Sequence, residues 1–268
     1  MPFAETRSGR LHYQVCDVVA PWVPQPQTIL FHHGVAASLD VWARWLPVLA
    51  SRYRLVRFDL RGYGESARPP AGFAWSFDVL SDDILSVAQA SGAERFHLVG
   101  ESIGGTAVLA CALREPSRVL SLTLSNAAAR GGLIGNVASW RELVAREGQA
   151  AWARQMMERR AHPDGLPVEV AAWWLRLHET CDMEVSLALA DMLIAADFTP
   201  RLSEVRVPTL LLSPDASPFI PLEVMVAMRG LIGGAELQVF AHAKHGLPLT
   251  HGDRCARVLR DFLARRCS

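Results

Sequence analysis

Short, nearly all-apolar runs separated by longer amphipathic stretches restrict the folds open to this chain more than any other feature. RLHYQVCDV (10–18), TILFHH (28–33), YRLVRFDL (53–60), RFHLVG (95–100), VLSLTLS (119–125), PTLLLS (208–213) and AELQVF (235–240) read as strands. Between them, SFDVLSDDILSVAQAS (76–91) puts Phe77, Leu80, Ile84, Leu85 and Val87 or Ala88 on one helical face. Strands that are apolar on both faces belong to a sheet covered by helices on both sides. Strand, helix and strand repeated in this way predict an α/β fold with a mostly parallel sheet.

The alternation stops between residues 131 and 196, where the pattern is helical only. The expected organisation is therefore a core domain from 1–130 and 197–268, interrupted by a helical cap over 131–196. The cap holds Trp140, Trp152, Trp173 and Trp174, half of the eight tryptophans, together with Met156, Met157, Met183 and Met192. Most such side chains pack helix against helix, but a cap with an apolar underside roofs a pocket. Trp140, Trp152 and Met156 are the expected substrate contacts there.

A chain of 268 residues suits one large α/β domain with an insertion. Lysine plus arginine and aspartate plus glutamate number 27 each, which offers no surface for nucleic acid or a polybasic membrane contact. The N-terminal residues lack a secretory signal, and no apolar run approaches the roughly 18 residues of a membrane span. Five scattered cysteines without CxxC spacing predict reduced thiols rather than disulfides or zinc. A cytoplasmic location is the expectation.

Gly100-Glu101-Ser102-Ile103-Gly104 is G-x-S-x-G, set between an apolar strand and a helical pattern. A turn that tight needs glycines at its flanks and holds the serine strained, with its hydroxyl lifted off the sheet. The helix N-terminus adds free N–H groups and a positive dipole end. Ser102 is thus the candidate nucleophile, and a plain strand-to-helix cap is the bland alternative. A serine needs a base, and the base needs an orienting group. After strand 235–240 the loop AHAKHG offers His245, with His242 and then His251 as alternatives. Asp215, the only carboxylate between Val207 and Glu223, is the default acid; its bland role is a turn residue. The oxyanion donors are expected at the N–H groups of Ile103 and Val35, with Ala36 the alternative to Val35. His32 and His33 read as loop-positioning residues, and no H-E-x-x-H pattern suggests a metal.

LFHHG, DLRGYGES, GESIGG, PTLLLSPD and AHAKHG, in this order and spacing, resemble the α/β-hydrolase superfamily over about residues 3 to 265. SWRELVAREGQAAWARQMMERR, with HHG and GESIGG, is most similar to 3-oxoadipate enol-lactonases, whose substrate carries a carboxylate. The resemblance implies an eight-stranded, mostly parallel sheet with the cap after the sixth strand. It implies a Ser102, Asp215 and His245 triad, an oxyanion hole at Val35 and Ile103, and no cofactor. DLRGYGES would be scaffold near the pocket. Two departures stand out. The usual aspartate slot falls on Ala216, or on Ser217 when counted from Pro221, and the alternative acid slot after the sixth strand holds Asn126. Of the arginines near the cap, Arg130, Arg141 and Arg154 are the candidates to meet a carboxylate.

The function expected is cofactor-independent hydrolysis of an ester or lactone through an acyl-enzyme on Ser102. The same constellation also serves C–C bond hydrolysis of vinylogous diketones and acyl transfer, and a non-catalytic ligand-binding member of the fold is the reading from another class. A serine disfavours the dehalogenase branch, which attacks with aspartate. The expected partner is a small-molecule ester or lactone, with no nucleic acid or membrane, and with a homodimer open as the assembly state.

Overall fold

In a computed structural model, which describes residues 2–267, eight strands form one sheet. They are β1 (Phe3–Thr6), β2 (Gly9–Cys16), β3 (Thr28–His32), β4 (Arg54–Phe58), β5 (Phe96–Glu101), β6 (Val119–Ser125), β7 (Thr209–Pro214) and β8 (Glu236–Phe240). Their spatial order is β1-β2-β4-β3-β5-β6-β7-β8. The β1–β2 and β2–β4 pairs are antiparallel and every other pair is parallel. Seven strands coincide with the apolar runs of the sequence. The eighth, β1, has only four residues and buries only Ala4, too little for a periodic signal. It is held by a hairpin that turns at Gly9, whose φ of +112° suits glycine.

Among the described residues, ten helices surround the sheet: α1 (Leu46–Leu49), α2 (Phe77–Ala90), α3 (Ile103–Arg114), α4 (Trp140–Glu147), α5 (Gln149–Arg160), α6 (Val168–Thr180), α7 (Met183–Ala195), α8 (Leu222–Leu231), α9 (Leu247–Thr250) and α10 (Gly252–Arg266). Alternate strand residues feed two cores. Leu30, Leu98 and Leu211 join the core under α2, α3 and α8, whereas Ile29, Phe31, Val99, Leu210 and Leu212 join Trp42, Trp45, Leu259 and Phe262 on the other face. This two-sided burial is why the central strands read as unbroken apolar runs.

Helices α4 to α7 lie between β6 and β7. The helical pattern of SWRELVAREGQAAWARQMMERR forms two helices, because Gly148 at φ +82° ends α4 and starts α5. Trp140, Trp152, Met156, Leu189 and Leu193 of this insertion join the same core as α2 and α3. Among the described residues, no helix is long and apolar enough to cross a membrane.

Candidate active site

The turn between β5 and α3 is set by sterics. A Cβ at Gly100 would clash with the Gly104 carbonyl, one at Gly104 with the His32 and His33 carbonyls, and one at Gly105 with the Ala127 side chain. With those positions bare, the helix closes on the strand and Ser102 is forced to φ 55°, ψ −127°. A non-glycine residue there carries roughly 1–3 kcal/mol of strain, held by the surrounding structure. Its N–H donates to the Ser125 carbonyl at 3.1 Å, and its own carbonyl accepts from Gly105 at 2.9 Å and Thr106 at 3.2 Å. The main chain of Ser102 is thereby fixed on both sides, while Ser102 itself lines a small cavity together with Val35, Trp140, Arg160, Phe219 and His245.

His245 faces the same cavity from the loop after β8 and is 2% exposed. Its Nδ1 bonds to Asn126 Oδ1 and lies 3.3 Å from Ser217 Oγ. Asn126, at the end of β6, takes a φ of 42°, a region asparagine tolerates. Its amide donates to the Ile220 carbonyl at 3.2 Å, which points Oδ1 at the ring. The Ser217 hydroxyl donates to the same Oδ1 at 2.8 Å and accepts from the Phe219 and Ile220 N–H groups. The network therefore assigns the proton to Nδ1 and leaves the lone pair on Nε2. Burial, then the charge of Arg160, holds the imidazole well below its ordinary pKa, so it is neutral near pH 7. Of the other candidate bases, His242 is exposed, and His251 bonds Thr250 Oγ1 at 2.9 Å away from the cavity.

Asp215 is not beside this ring. Its carboxylate is exposed and accepts from the His242 N–H at 3.0 Å and the Ala243 N–H at 3.2 Å, which lowers its pKa. The Asp215 N–H still pairs with the Phe240 carbonyl at 3.1 Å, so the residue continues the sheet edge. The chain turns back under the imidazole only at Ser217. The two residues in the usual acid slots, Asn126 and Ser217, are neutral. Both slots are visible in the sequence; what their occupants do together is not.

The carboxylate that does meet His245 is Glu101, the residue before the serine. Its Oε1 lies 3.3 Å from Nε2, and both groups are buried. Desolvation pushes the Glu101 pKa up to about 7, against the pull of Arg160 and the Gly34 amide. Gly34, of the HHG run, has no room for a Cβ, which would meet Glu101 Oε2 and the Ser102 Cβ.

Val35 follows in the cavity wall. Ile103 is the first residue of α3, where the N–H has no intrahelical acceptor. The Ala36 amide is engaged by the Tyr63 hydroxyl, which bonds Ser186 Oγ of α7 at 2.8 Å, and so ties this loop to the inserted helices. His32 and His33 each turn Nδ1 to the next residue's carbonyl, and His33 Nε2 accepts from the Leu60 N–H at 2.9 Å. Both are buried, and burial lowers their pKa. Among the described residues, no group of three His, Cys, Asp or Glu side chains suits a metal ion.

The insertion contributes Trp140 and Arg160 to the cavity wall. Trp152 and Met156 sit behind, fully buried, with the Trp152 ring 5.4 Å from that of Trp140, so they pack helices rather than line the cavity. Arg130 and Arg141 are exposed and paired with Asp197 and Asp191, and Arg154 is exposed. Arg160 is the cationic residue that points inward. It is 2% exposed, its Nε has no hydrogen-bond partner, and no carboxylate pairs with its guanidinium among the described residues. A signal for it exists in the sequence: 152, 156 and 160 are spaced i, i+4, i+8, so Arg160 continues the buried stripe of α5.

The chain's fold has close counterparts among known proteins. Residues 27–168 match the model of a family described as the alpha/beta hydrolase fold. "Putative carbamate hydrolase RutD" of Klebsiella pneumoniae is 27% identical over 91% of this chain and 94% of its own length. A fluoroacetate dehalogenase of a Burkholderia species is 41% identical over 99 residues, 36% of this chain and 33% of its own. The crystal structure of the enol-lactonase from Burkholderia xenovorans LB400 superposes with a TM-score of 0.85 and 25% identity, covering 98% of this chain and all of that one. The meta-cleavage product hydrolase from Pseudomonas fluorescens IP01 superposes at 0.81 with 22% identity, over 96% and 95% of the two chains. With the family match spanning more than half its length, this chain belongs to the α/β-hydrolase fold family.

Proposed function

We propose that the protein is a serine hydrolase that opens an ester or lactone through an acyl-enzyme on Ser102. The observation that carries this reading is the pairing, in one cavity, of a strained serine at a helix N-terminus with a neutral imidazole. His245 takes the serine proton on Nε2 as Oγ attacks the carbonyl carbon, then returns it to the leaving oxygen; water repeats the cycle on the acyl-enzyme. The Val35 and Ile103 amides hold the oxyanion. Asn126 replaces the usual aspartate as the group that orients the ring, and Asp215 is withdrawn from that role. The helices over 131–196 act as the cap.

The substrate's class follows from Arg160. A buried guanidinium whose Nε lacks a hydrogen-bond partner and which makes no ion pair among the described residues is costly, and a carboxylate on the bound substrate relieves that cost with charge-assisted hydrogen bonds. The proposal is thus a carboxylate-bearing lactone or ester, in keeping with the enol-lactonase that this chain resembles along its whole length. The neutral acid slots favour one rival, a binding protein of the same fold without turnover. Treatment with a fluorophosphonate probe followed by intact-mass measurement separates the two. One adduct on the wild type and none on Ser102→Ala is the expected result, with ester turnover lost in the variant by about 10⁴-fold or more. An unlabelled wild type ends the hydrolase reading.

A further inference from the structure

In this fold's general chemistry the imidazolium formed during attack is stabilised by a buried anion behind Nδ1. Here that side offers only Asn126 Oδ1 and Ser217 Oγ, which carry no charge. Asp215 is occupied by two main-chain amides at the surface. Among the described residues, one buried carboxylate touches the ring, and it does so at the other nitrogen: Glu101 Oε1, 3.3 Å from Nε2, with side chains 6% and 2% exposed. Gly34 leaves the space in which this carboxylate sits beside the Ser102 Cβ.

Resting on the serine-hydrolase reading, we infer that Glu101 supplies the negative charge for the His245 imidazolium, a task moved from the Nδ1 side to the Nε2 side of the ring. In the resting enzyme an ionised Glu101 faces the lone pair on Nε2 and gains nothing from it. When the Ser102 Oγ–H bond breaks and its proton bonds to Nε2, the same carboxylate faces an N–H on a cation. The contact becomes favourable only as the transition state forms, which is the condition for raising turnover rather than binding. The proton returns from Nε2 to the leaving oxygen as the acyl C–O bond breaks, so protons and electron pairs balance.

The arrangement has a cost at low pH. Protonated Glu101 donates to Nε2 and holds the lone pair away from Ser102. Its pKa of about 7 reflects burial opposed by Arg160 from α5 and by the Gly34 amide, while His245, 3.3 Å away, is held neutral. Turnover therefore rises with pH through a transition near 7 as Glu101 ionises.

The test combines Glu101→Gln with Asn126→Asp, which puts an anion behind Nδ1. Rates of fluorophosphonate labelling and of aryl acetate hydrolysis are measured for the wild type, both single variants and the double variant. Glu101→Gln is expected to slow both reactions by about 10²-fold, the scale of a lost transition-state contact. Asn126→Asp is expected to restore at least about tenfold of that when Glu101→Gln is already present and to raise the rate by a clearly smaller factor when Glu101 is kept, a coupling that adjacent but independent sites do not show. The alkaline rise near pH 7 should also vanish in Glu101→Gln. Should that variant misfold, Glu101→Asp, which keeps the charge, is put through the same cycle. Equal gains from Asn126→Asp in both backgrounds, or unchanged rates in Glu101→Gln, overturn the inference while leaving the serine hydrolase intact. Failure of the wild type to label overturns the underlying reading instead.

Discussion

Of the segments that reach the His245 ring, two are specified in different ways. The turn Gly100–Gly105 is determined by sterics: three glycines, each without room for a Cβ, leave one backbone path and one exposed side chain. The loop Asp215–Ile220 is determined by partners: a carboxylate on two amides, a hydroxyl on an amide oxygen, a carbonyl on an amide nitrogen. Steric specification survives few substitutions. Partner specification lets polar groups exchange roles, so that in this chain an amide and a hydroxyl stand where a carboxylate is expected.

The strongest way to break the comparison is to fill the turn. Gly104→Ala drives a Cβ into the His32 and His33 carbonyls, main-chain atoms of β3 and its following loop that cannot swing aside. Overpacking of this kind costs about 1–3 kcal/mol or more, and it displaces the loop that carries Val35 along with the serine. The melting temperature should fall and fluorophosphonate labelling of Ser102 should drop sharply together. A variant with unaltered labelling would show that the turn tolerates what the geometry forbids.

The same contrast explains how much the sequence discloses. Seven strands are legible because both faces of each central strand are buried, which writes an apolar run into the chain. β1 is illegible because a four-residue edge strand needs no such run. Ser102 and His245 are legible through glycine spacing and strand–loop order. Asp215 misleads because a carboxylate two residues past a strand end has the same spelling whether it turns inward to a ring or outward to amides. Asn126 and Ser217 occupy visible slots, but nothing in neutral letters announces that they bond one ring nitrogen. Arg160 is hidden in MMERR, where adjacent arginines differ in burial only by helical phase.

Arg160 sharpens the comparison from the insertion's side. Its Nε is a buried donor without a hydrogen-bond partner, and Arg160→Gln separates stability from recognition. Removing a buried cation that makes no ion pair among the described residues should leave the melting temperature unchanged or raise it. For a carboxylate-bearing ester, the loss of charge-assisted hydrogen bonds worth about 1.5–3 kcal/mol should raise KM by roughly 10- to 100-fold. KM for a neutral aryl acetate should hardly move. An equal loss on both substrates would assign Arg160 to the scaffold and withdraw the carboxylate from the proposed substrate class.

The smallest effect is expected at Asp215, and it decides whether the two segments differ as described. An aspartate behind a catalytic imidazole costs about 10⁴ in turnover when made an asparagine, as in the trypsin-type triad. Asp215→Asn should cost less than about tenfold, because its carboxylate touches only the His242 and Ala243 amides. Those bonds hold its pKa below the ordinary 3.8, so its contribution is in force above the unfolded carboxylate's pKa. It is lost as the pH falls through the lower, folded value. Amide exchange at His242 and Ala243 should therefore be slow at neutral pH in the wild type. It should quicken in strong acid, and at every pH when Asp215 is replaced by Ala. A loss of about 10³-fold or more in Asp215→Asn, approaching the triad value, would mean that the loop re-forms during turnover to bring this carboxylate to His245, and that the charge at Glu101 is not the one the imidazolium uses.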